Sequence, residues 1–330
     1  MKFEVGLCLR SGDLHPLDAV EIAVKAEAMG FSSFWMTEEL SRASPPVLAL
    51  AAAATSRIKI GTAIISIFAR TPMNTAMTAA TLQEISRNRF LLGLGVGGPD
   101  IVRKGHGLDM GNAVEKTAEY IQIVKKFLEG ERVVFHGAHY HVDNIRIWIK
   151  NPLPTQIYLA SLNPKMLTLA GKLADGIILN MFDPKASSYV KKWINKGLEE
   201  SQNPSKPFSK YSFVLAAASK SPAAVAAMKR AAAFYMSSPA YRKILKKAGH
   251  ELTVERFVET LEKEGREKAA QIIDLDLLEG VGFFADENIE EKLSQYHKAG
   301  IIPLVYPQPR IGNEKGDIVT IINTVAKNVA

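Results

Sequence analysis

The sequence predicts an α/β fold of one kind, a closed (β/α)8 TIM barrel with its helices outside. Short apolar runs rich in β-branched residues recur eight times along the 330 residues, each followed by helical material. These runs are apolar throughout rather than alternating, the pattern of parallel strands covered on both faces. An open doubly wound sheet takes about six strands and would leave two of the runs unplaced.

The first strand is KFEVGLCL (2–9) and the first helix HPLDAVEIAVKAEAMG (15–30), with Pro16 near its start and Gly30 past its end. Ile22, Ala26 and Met29 share one face of that helix at helical spacing. FSSFWMT (31–37) is the second strand, where Phe34 and Trp35 read as packing residues, and PPVLALAAAATS (45–56) is the second helix. RIKIGTAIIS (57–66) is the third strand, followed by a helix from about Pro72 to Ser86, and RFLLGLGV (89–96) is the fourth. TQIYLAS (155–161) leads into NPKMLTLAGKLA, and DGIILNM (175–181) into PKASSYVKKWINKGLEES. FSKYSFVLAAAS (208–219) is the seventh strand and AGIIPLVYP (299–307) the eighth, before the helix EKGDIVTIINTVAKNV. Two insertions interrupt the alternation: a hairpin-like stretch at 130–148, and an almost entirely helical segment, 222–298, between the last two strands. Neither has linker composition, so residues 1–330 read as one barrel domain with insertions.

Hydrophobic residues make up 47% and charged residues 23%, ordinary for a globular chain. No run approaches the roughly 20 apolar residues that span a bilayer, and the N-terminus reads as a strand rather than a signal segment. The expectation is a cytoplasmic protein with no membrane partner. The net charge is +7, but its lysines are interleaved with glutamates, as in KKFLEGERVV, which argues for a solvated surface and against nucleic acid. Cys8 is the single cysteine, so no intrachain disulfide forms, and it reads as a small buried apolar residue. His136, His139 and His141 lie close in sequence but lack the carboxylate or cysteine spacing of a zinc site, so no metal is expected. His15 and His106 fall near strand ends, and Arg70 follows the third strand, where it would meet an anionic ligand or a nearby carboxylate. No serine stands in a G-x-S-x-G context, so hydrolase triad chemistry has no starting point.

FLLGLGVGGPD carries Gly93, Gly95 and Gly98 in the G-x-G-x-x-G spacing of a dinucleotide-binding turn. That motif opens a helix directly in the first βα unit. Here it comes fourth, Pro99 and Asp100 lead into IVRKGHG, which reads as a polar loop, and helical patterning resumes only near Asn112. The run is therefore read as a barrel strand ending in a Gly-Pro loop at the carboxyl rim, where barrel active sites form. Glycines there let a flat ligand approach the backbone. Asp100 is then either a rim carboxylate or a solvated loop residue.

At this point the chain resembles the bacterial luciferase-like superfamily, in particular its coenzyme F420-dependent branch, which includes methylenetetrahydromethanopterin reductase. The resemblance runs through EAMGFSSFWMTEE, IKIGTAIISIFARTPMNTAMTAATLQEISRNRFLLGLGVGGPD, FLEGERVVFHGAHYHV and IYLASLNPKMLTLAGKLADGIILN. It implies a non-prolyl cis peptide at Ala63–Ile64 beneath the cofactor ring and a ring site against Gly97 and Gly98. It also implies a phosphate-holding loop at Ser161, Leu162 and Asn163, whose N–H groups precede a helix start suited to an anion. Ser161 or Asn163 would equally serve as the helix N-cap. Asp100 and Glu38 match the family's rim acids and are the catalytic candidates. Glu39 stands where the family usually has histidine, and Gly6 where the reductase proper has a carboxylate.

The function implied is F420-dependent transfer of a hydride between the deazaflavin C5 and a small organic substrate. An FMN-dependent luciferase-like monooxygenase and a non-catalytic flavin-binding barrel are the alternatives. The resemblance also leads to the expectation of a homodimer or higher homo-oligomer.

Overall fold

In the computed structural model, which describes residues 2–150 and 152–329, the strands in chain order are β1 (Gly6–Leu9), β2 (Ser33–Met36), β3 (Lys59–Thr62), β4 (Ile65–Ser66), β5 (Phe90–Gly95), β6 (Val133–His136), β7 (His141–Ile145), β8 (Gln156–Ala160), β9 (Gly176–Leu179), β10 (Ser209–Ala217), β11 (Gly282–Phe284) and β12 (Ile302–Pro307). A ring of parallel pairings runs β1–β2–β3–β5–β8–β9–β10–β12, and β12 returns to β1 through Gly6↔Leu304 and Leu7↔Val305. The closed eight-strand barrel is the fold the sequence predicts. The short strand β4 continues β3 and pairs with β5 through Ile65↔Leu94.

Helices α1 (Pro16–Ala28), α2 (Ser44–Ala54), α3 (Pro72–Ser86), α4 (Ala113–Leu128), α5 (Pro164–Leu173) and α6 (Ser187–Glu199) make the crossovers of the first six units. Most of them begin with proline in the first turn, where a missing N–H costs nothing. Three aromatic rings fill the barrel interior: Trp35, Tyr158 and Tyr211, with centroids 5.1–5.7 Å apart. Gly61 is dictated by this packing, since a Cβ there would stand 2.2 Å from the Trp35 ring. At the amino-terminal end of the barrel the chain is stapled by charge. The Glu27 carboxylate accepts the N–H groups of Ser56, Arg57 and Ile58, and Arg89 donates to the last carbonyls of α2, Ala52 O at 2.8 Å and Thr55 O at 2.9 Å.

The hairpin β6–β7 is antiparallel and docks on α4 through Glu119, whose carboxylate accepts the N–H groups of Ala138, His139 and Tyr140. Within it His136 faces His141 across the strands, Nδ1 to Nδ1 2.9 Å, while His139 pairs instead with Glu115. Among the described residues no group of three or more His, Cys, Asp or Glu side chains is arranged to hold a metal ion, and no helix is long and apolar enough to cross a membrane.

Between β10 and β12 the chain forms α7 (Pro222–Met236), α8 (Pro239–Lys247), α9 (Glu251–Glu264), α10 (Arg266–Ile272), α11 (Leu275–Val281) and α12 (Ile289–Lys298), and α13 (Glu314–Val325) closes the fold. This insertion departs from the helical expectation at β11, which adds to the carboxyl end of β10 through Leu215↔Gly282. The nine-residue β10 overhangs its neighbours there, and its free backbone groups take a further strand. Buried His250 ties the insertion to the rim, Nε2 3.0 Å from Asp183 after β9 and Nδ1 3.2 Å from Asp276 of α11.

A second departure follows β5. The polar loop expected after Gly98 is a helical turn: Pro99 and Asp100 open it and Ile101–Gly105 continue with π-helical geometry, His106 N–H bonding Ile101 O at 3.0 Å. Pro-Asp is itself a helix-start signal, and Val102 anchors the turn with no exposed surface. The glycine run thus opens a helical turn, but on the fourth strand of a closed barrel, so the dinucleotide-binding reading still fails.

Candidate functional site

The carboxyl ends of the strands converge on one rim. The peptide bond Ala63–Ile64, directly after β3, is cis and non-prolyl. Ala63 is buried and Ile64 half-buried, and Gly95 makes room for the latter, since a Cβ there would come within 3.0 Å of the Ile64 side chain. Across from it, Gly97 lies exposed at φ +71°, a backbone region that side-chain-bearing residues rarely enter, and Gly98 is half-buried. Gly97 and Gly98 add no side chains of their own to this shelf of the rim, and the Ser66 and Ile101 side chains stand beside them. Next to it a groove of about 350 Å³ opens between Ile67–Thr71 and the hairpin turn at His139 and Tyr140.

The predicted anion loop after β8 is only partly as expected. Ser161 is 4% exposed and turned inward: its N–H donates to Ile178 O, and its hydroxyl lies within hydrogen-bonding reach of Leu159 O and Met166 O. It has nothing left for a phosphate, because the strand end buries it under α5. The N–H groups of Leu162 and Asn163 have no protein acceptor, and the Asn163 side chain caps α5 by accepting from Met166 N–H at 3.0 Å. An anion would rest on those two N–H groups and the start of α5.

Neither proposed acid stands free in the cleft. The Glu38 carboxylate forms a two-point ion pair with Arg70 and also accepts the Ser44 N–H at 2.8 Å and the Ser44 hydroxyl at 3.1 Å. It ties the chain after β3 to the start of α2, and its acceptor sites are filled. Asp100 points into solvent, its side chain 76% exposed, 3.5 Å from Lys104. The first carboxylate is therefore a structural anchor, and the second is the solvated loop residue that the sequence left open. His15 caps α1, accepting from Leu17 N–H at 3.3 Å, and His106 is exposed.

The titratable cluster that the sequence reading missed lies at the ends of β1, β2 and β12. Arg10 donates from Nε to the Tyr306 hydroxyl at 3.3 Å, from Nη1 to Asp13 at 3.4 Å and from Nη2 to Gln308 Oε1 at 2.7 Å. Tyr306 in turn lies 3.5 Å from Glu39 Oε1, and Tyr235 of α7 reaches Tyr306 at 3.3 Å. Burial pushes Asp13 up to about 6; Arg10 opposes this, while the charges of Glu39 and Glu314 add to it. Burial likewise raises Glu39 above the usual carboxylate range, with Arg10 and the Tyr306 hydroxyl opposing. Nearby Ser11 is 2% exposed and its hydroxyl has no partner. Charged residues directly after a barrel strand, as Arg10 and Asp13 are, were a legible signal. The arrival of Tyr235 from the helical insertion was not.

The profile of luciferase-like monooxygenases matches residues 4–302. The chain belongs to this luciferase-like family. Within it, the chain is 26% identical to a protein of Mycobacterium tuberculosis named for coenzyme F420-dependent oxidoreduction, over 88% of this chain and 90% of that one. It is also 26% identical to the 5,10-methylenetetrahydromethanopterin reductase of Methanopyrus kandleri, over 94% of both chains. The solved coenzyme F420-dependent reductase from that organism superposes with a TM-score of 0.80 at 22% identity, covering 100% of this chain and 99% of the other. An FMN complex of the 3,6-diketocamphane monooxygenase from Pseudomonas putida superposes at 0.66 with 16% identity, covering 100% and 98%. The luciferase-like fold is therefore common to solved structures named for both ring systems, and the Mycobacterium tuberculosis relative is named for F420.

The rim has features that suit a tricyclic cofactor with an anionic tail. Ile64 offers an apolar surface and Gly97–Gly98 a backbone without side chains, and the unpartnered N–H groups of Leu162 and Asn163 lie at the start of α5.

Proposed function

We propose that this luciferase-like protein is a coenzyme F420-dependent oxidoreductase acting on a small organic substrate. The observation that carries the reading is the pairing of a glycine-flanked apolar shelf, Ala63, Ile64, Gly97 and Gly98, with two unpartnered N–H groups at the start of α5. The Mycobacterium tuberculosis relative named for F420 supports the same cofactor. When bound, a deazaflavin supplies hydride acceptance or donation at its C5. The chain's part is to seat the ring, hold the tail at Leu162 and Asn163, exclude water and manage a proton. Because Glu38 is saturated and Asp100 is solvated, that last task falls to other groups of the rim. Glu38 keeps a positioning role through Arg70.

Calorimetric titration of the purified protein with F420 and with FMN tests the assignment. F420 is expected to bind at least about tenfold tighter, a difference of roughly 1.4 kcal/mol. Tighter binding of FMN would replace this reading with the monooxygenase one. If neither binds, the rim is not a flavin-type site.

A further inference from the structure

The hairpin β6–β7 carries two imidazoles that the proposed chemistry at the rim does not use. Phe135 and Val142 form a cross-strand pair that is half-buried and packs on the core. The next pair toward the turn, His136 and His141, therefore stands on the opposite, solvent face, and both residues are exposed. Their ring centroids are 4.3 Å apart and their two Nδ1 atoms 2.9 Å apart.

The backbone fixes this approach without help from any ligand. Glu119 of α4 collects the N–H groups of Ala138, His139 and Tyr140, and the Gly137 N–H bonds Tyr140 O at 2.9 Å across the turn. Only glycine lets the turn sit this close, since a Cβ at Gly137 would stand 2.3 Å from Glu119 Oε2. At the far end of the hairpin Arg132 donates to Asn144 O at 2.9 Å. His139 is held away from the pair, its Nε2 3.0 Å from Glu115. His136 and His141 are thus a preorganised unit of two nitrogen donors.

Two neutral rings at this spacing share one proton as an N–H···N bond, and in water the net worth of such a bond is small. The same spacing suits a metal ion. Imidazole nitrogens bind first-row divalent ions at about 2.0–2.1 Å, so two of them at a right angle lie about 2.9 Å apart, whereas a tetrahedral ion sets them about 3.3 Å apart. Right-angled positions belong to square-planar, tetragonal and octahedral ions, and with nitrogen donors these are Cu2+ and Ni2+. The ring that carries its proton on Nδ1 takes the Nε2–H tautomer instead, so both rings stay neutral and no proton leaves.

We infer that His136 and His141 form a two-point chelating site for a divalent ion of right-angled geometry, Cu2+ or Ni2+, with water in the remaining positions. The ion closes a ring across the stem of the turn 137–140. His139 and Tyr140 of that turn line the groove of about 350 Å³ beside the rim, so an occupied site stiffens one wall of that groove. The inference does not rest on the cofactor reading.

Calorimetric titration of the untagged full-length protein with Ni2+ and with Cu2+ tests it. One ion per chain is expected to bind at this pair. His136→Ala and His141→Ala should each lower that affinity at least about tenfold, because a single imidazole loses the gain of chelation. Both side chains are exposed, so the variants fold, and thermal melts check this. His139→Ala should leave the affinity unchanged. The electron paramagnetic resonance spectrum of the Cu2+ form is expected to show coupling to two imidazole nitrogens, falling to one in either single variant. Hydrogen exchange should slow in the turn 137–140 when Ni2+ is added and stay the same in the barrel strands. Equal affinity of wild-type protein and the two single variants would overturn the site. Loss of binding in His139→Ala would place the ion elsewhere and overturn it too. Tighter binding of Zn2+ than of either ion would refute the right-angled geometry, and unchanged exchange in the turn would refute the stiffening.

Discussion

At the scale of single residues, burial decides what a charged side chain can do, and it decides differently for acids that look alike in sequence. Asp13 has its folded value raised to about 6 from 3.8, so the native state holds a proton that the unfolded chain has already lost. Stability from this group is full below the unfolded value and is lost as pH rises through about 6, a swing of roughly 3 kcal/mol at one and a third kcal/mol per unit. Asp13→Asn should therefore flatten the dependence of unfolding free energy on pH between about 4 and about 6, as measured by urea denaturation at a series of pH values. An unchanged slope would mean that the carboxyl is not buried as described. Glu38 and Asp100 separate on a second comparison. Glu38→Gln breaks a largely buried ion pair with Arg70 and should cost about 3–5 kcal/mol. Asp100→Asn, in solvent, should stay within about 0.5 kcal/mol and keep its rate per folded molecule. Thermal melts combined with turnover assays of the two variants check both expectations.

At the scale of elements, each rim feature depends on a local backbone device. The hairpin β6–β7 stands against α4 because the Glu119 carboxylate collects three backbone N–H groups. Burial by itself would raise Glu119; the N–H groups of His139, Ala138 and Tyr140 outweigh it and hold the acid below its usual value. With a depressed folded value, its stabilisation is present at neutral pH and lost as pH falls through the acid range. Glu119→Ala should speed amide exchange at Ala138, His139 and Tyr140 by at least about tenfold and leave exchange in the barrel strands unchanged. Hydrogen exchange read by mass spectrometry decides it, and equal protection in both proteins would show that the hairpin is held by other contacts. The loop after β5 depends on Gly97 at φ +71°. Alanine there costs about 1 kcal/mol in backbone conformation and places a Cβ 3.2 Å from the Ser66 hydroxyl. Gly97→Ala is therefore expected to weaken F420 binding more than it lowers the melting temperature, and equal affinity by calorimetry would remove the loop from the proposed ring site.

At the scale of the whole molecule, the closed ring of eight strands gathers residues distant in sequence onto one rim. Arg10 and Gln308 are 298 positions apart and 2.7 Å from each other. The barrel interior is filled with rings, so Trp35, Tyr158 and Tyr211 form a solid floor and ligands are confined to the mouth. Gly61→Ala drives a methyl into the Trp35 ring and is expected to destabilise the fold by about 1–3 kcal/mol, measured by denaturant unfolding. A neutral effect would mean that the floor is loosely packed.

The sequence by itself determined the eight strands, the helices between them and the kinship to the luciferase-like family. Those features are local: apolar runs, proline starts and glycine positions are written within a few neighbouring residues. The resemblance to the luciferase-like family, rather than periodicity, is what assigned Ala63, Ile64, Gly97, Gly98, Ser161, Leu162 and Asn163 to a cofactor site. What the sequence could not decide was which side chain faces which. Ser161 and Asn163 look alike as N-cap residues, yet the strand end buries one and exposes the other. Glu38 and Glu39 are adjacent in sequence, yet one meets Arg70 across the next crossover and the other meets Tyr306 from the last strand. Partner and burial set the proton affinity of a carboxyl, and both are properties of the closed barrel, assembled from segments up to 298 residues apart.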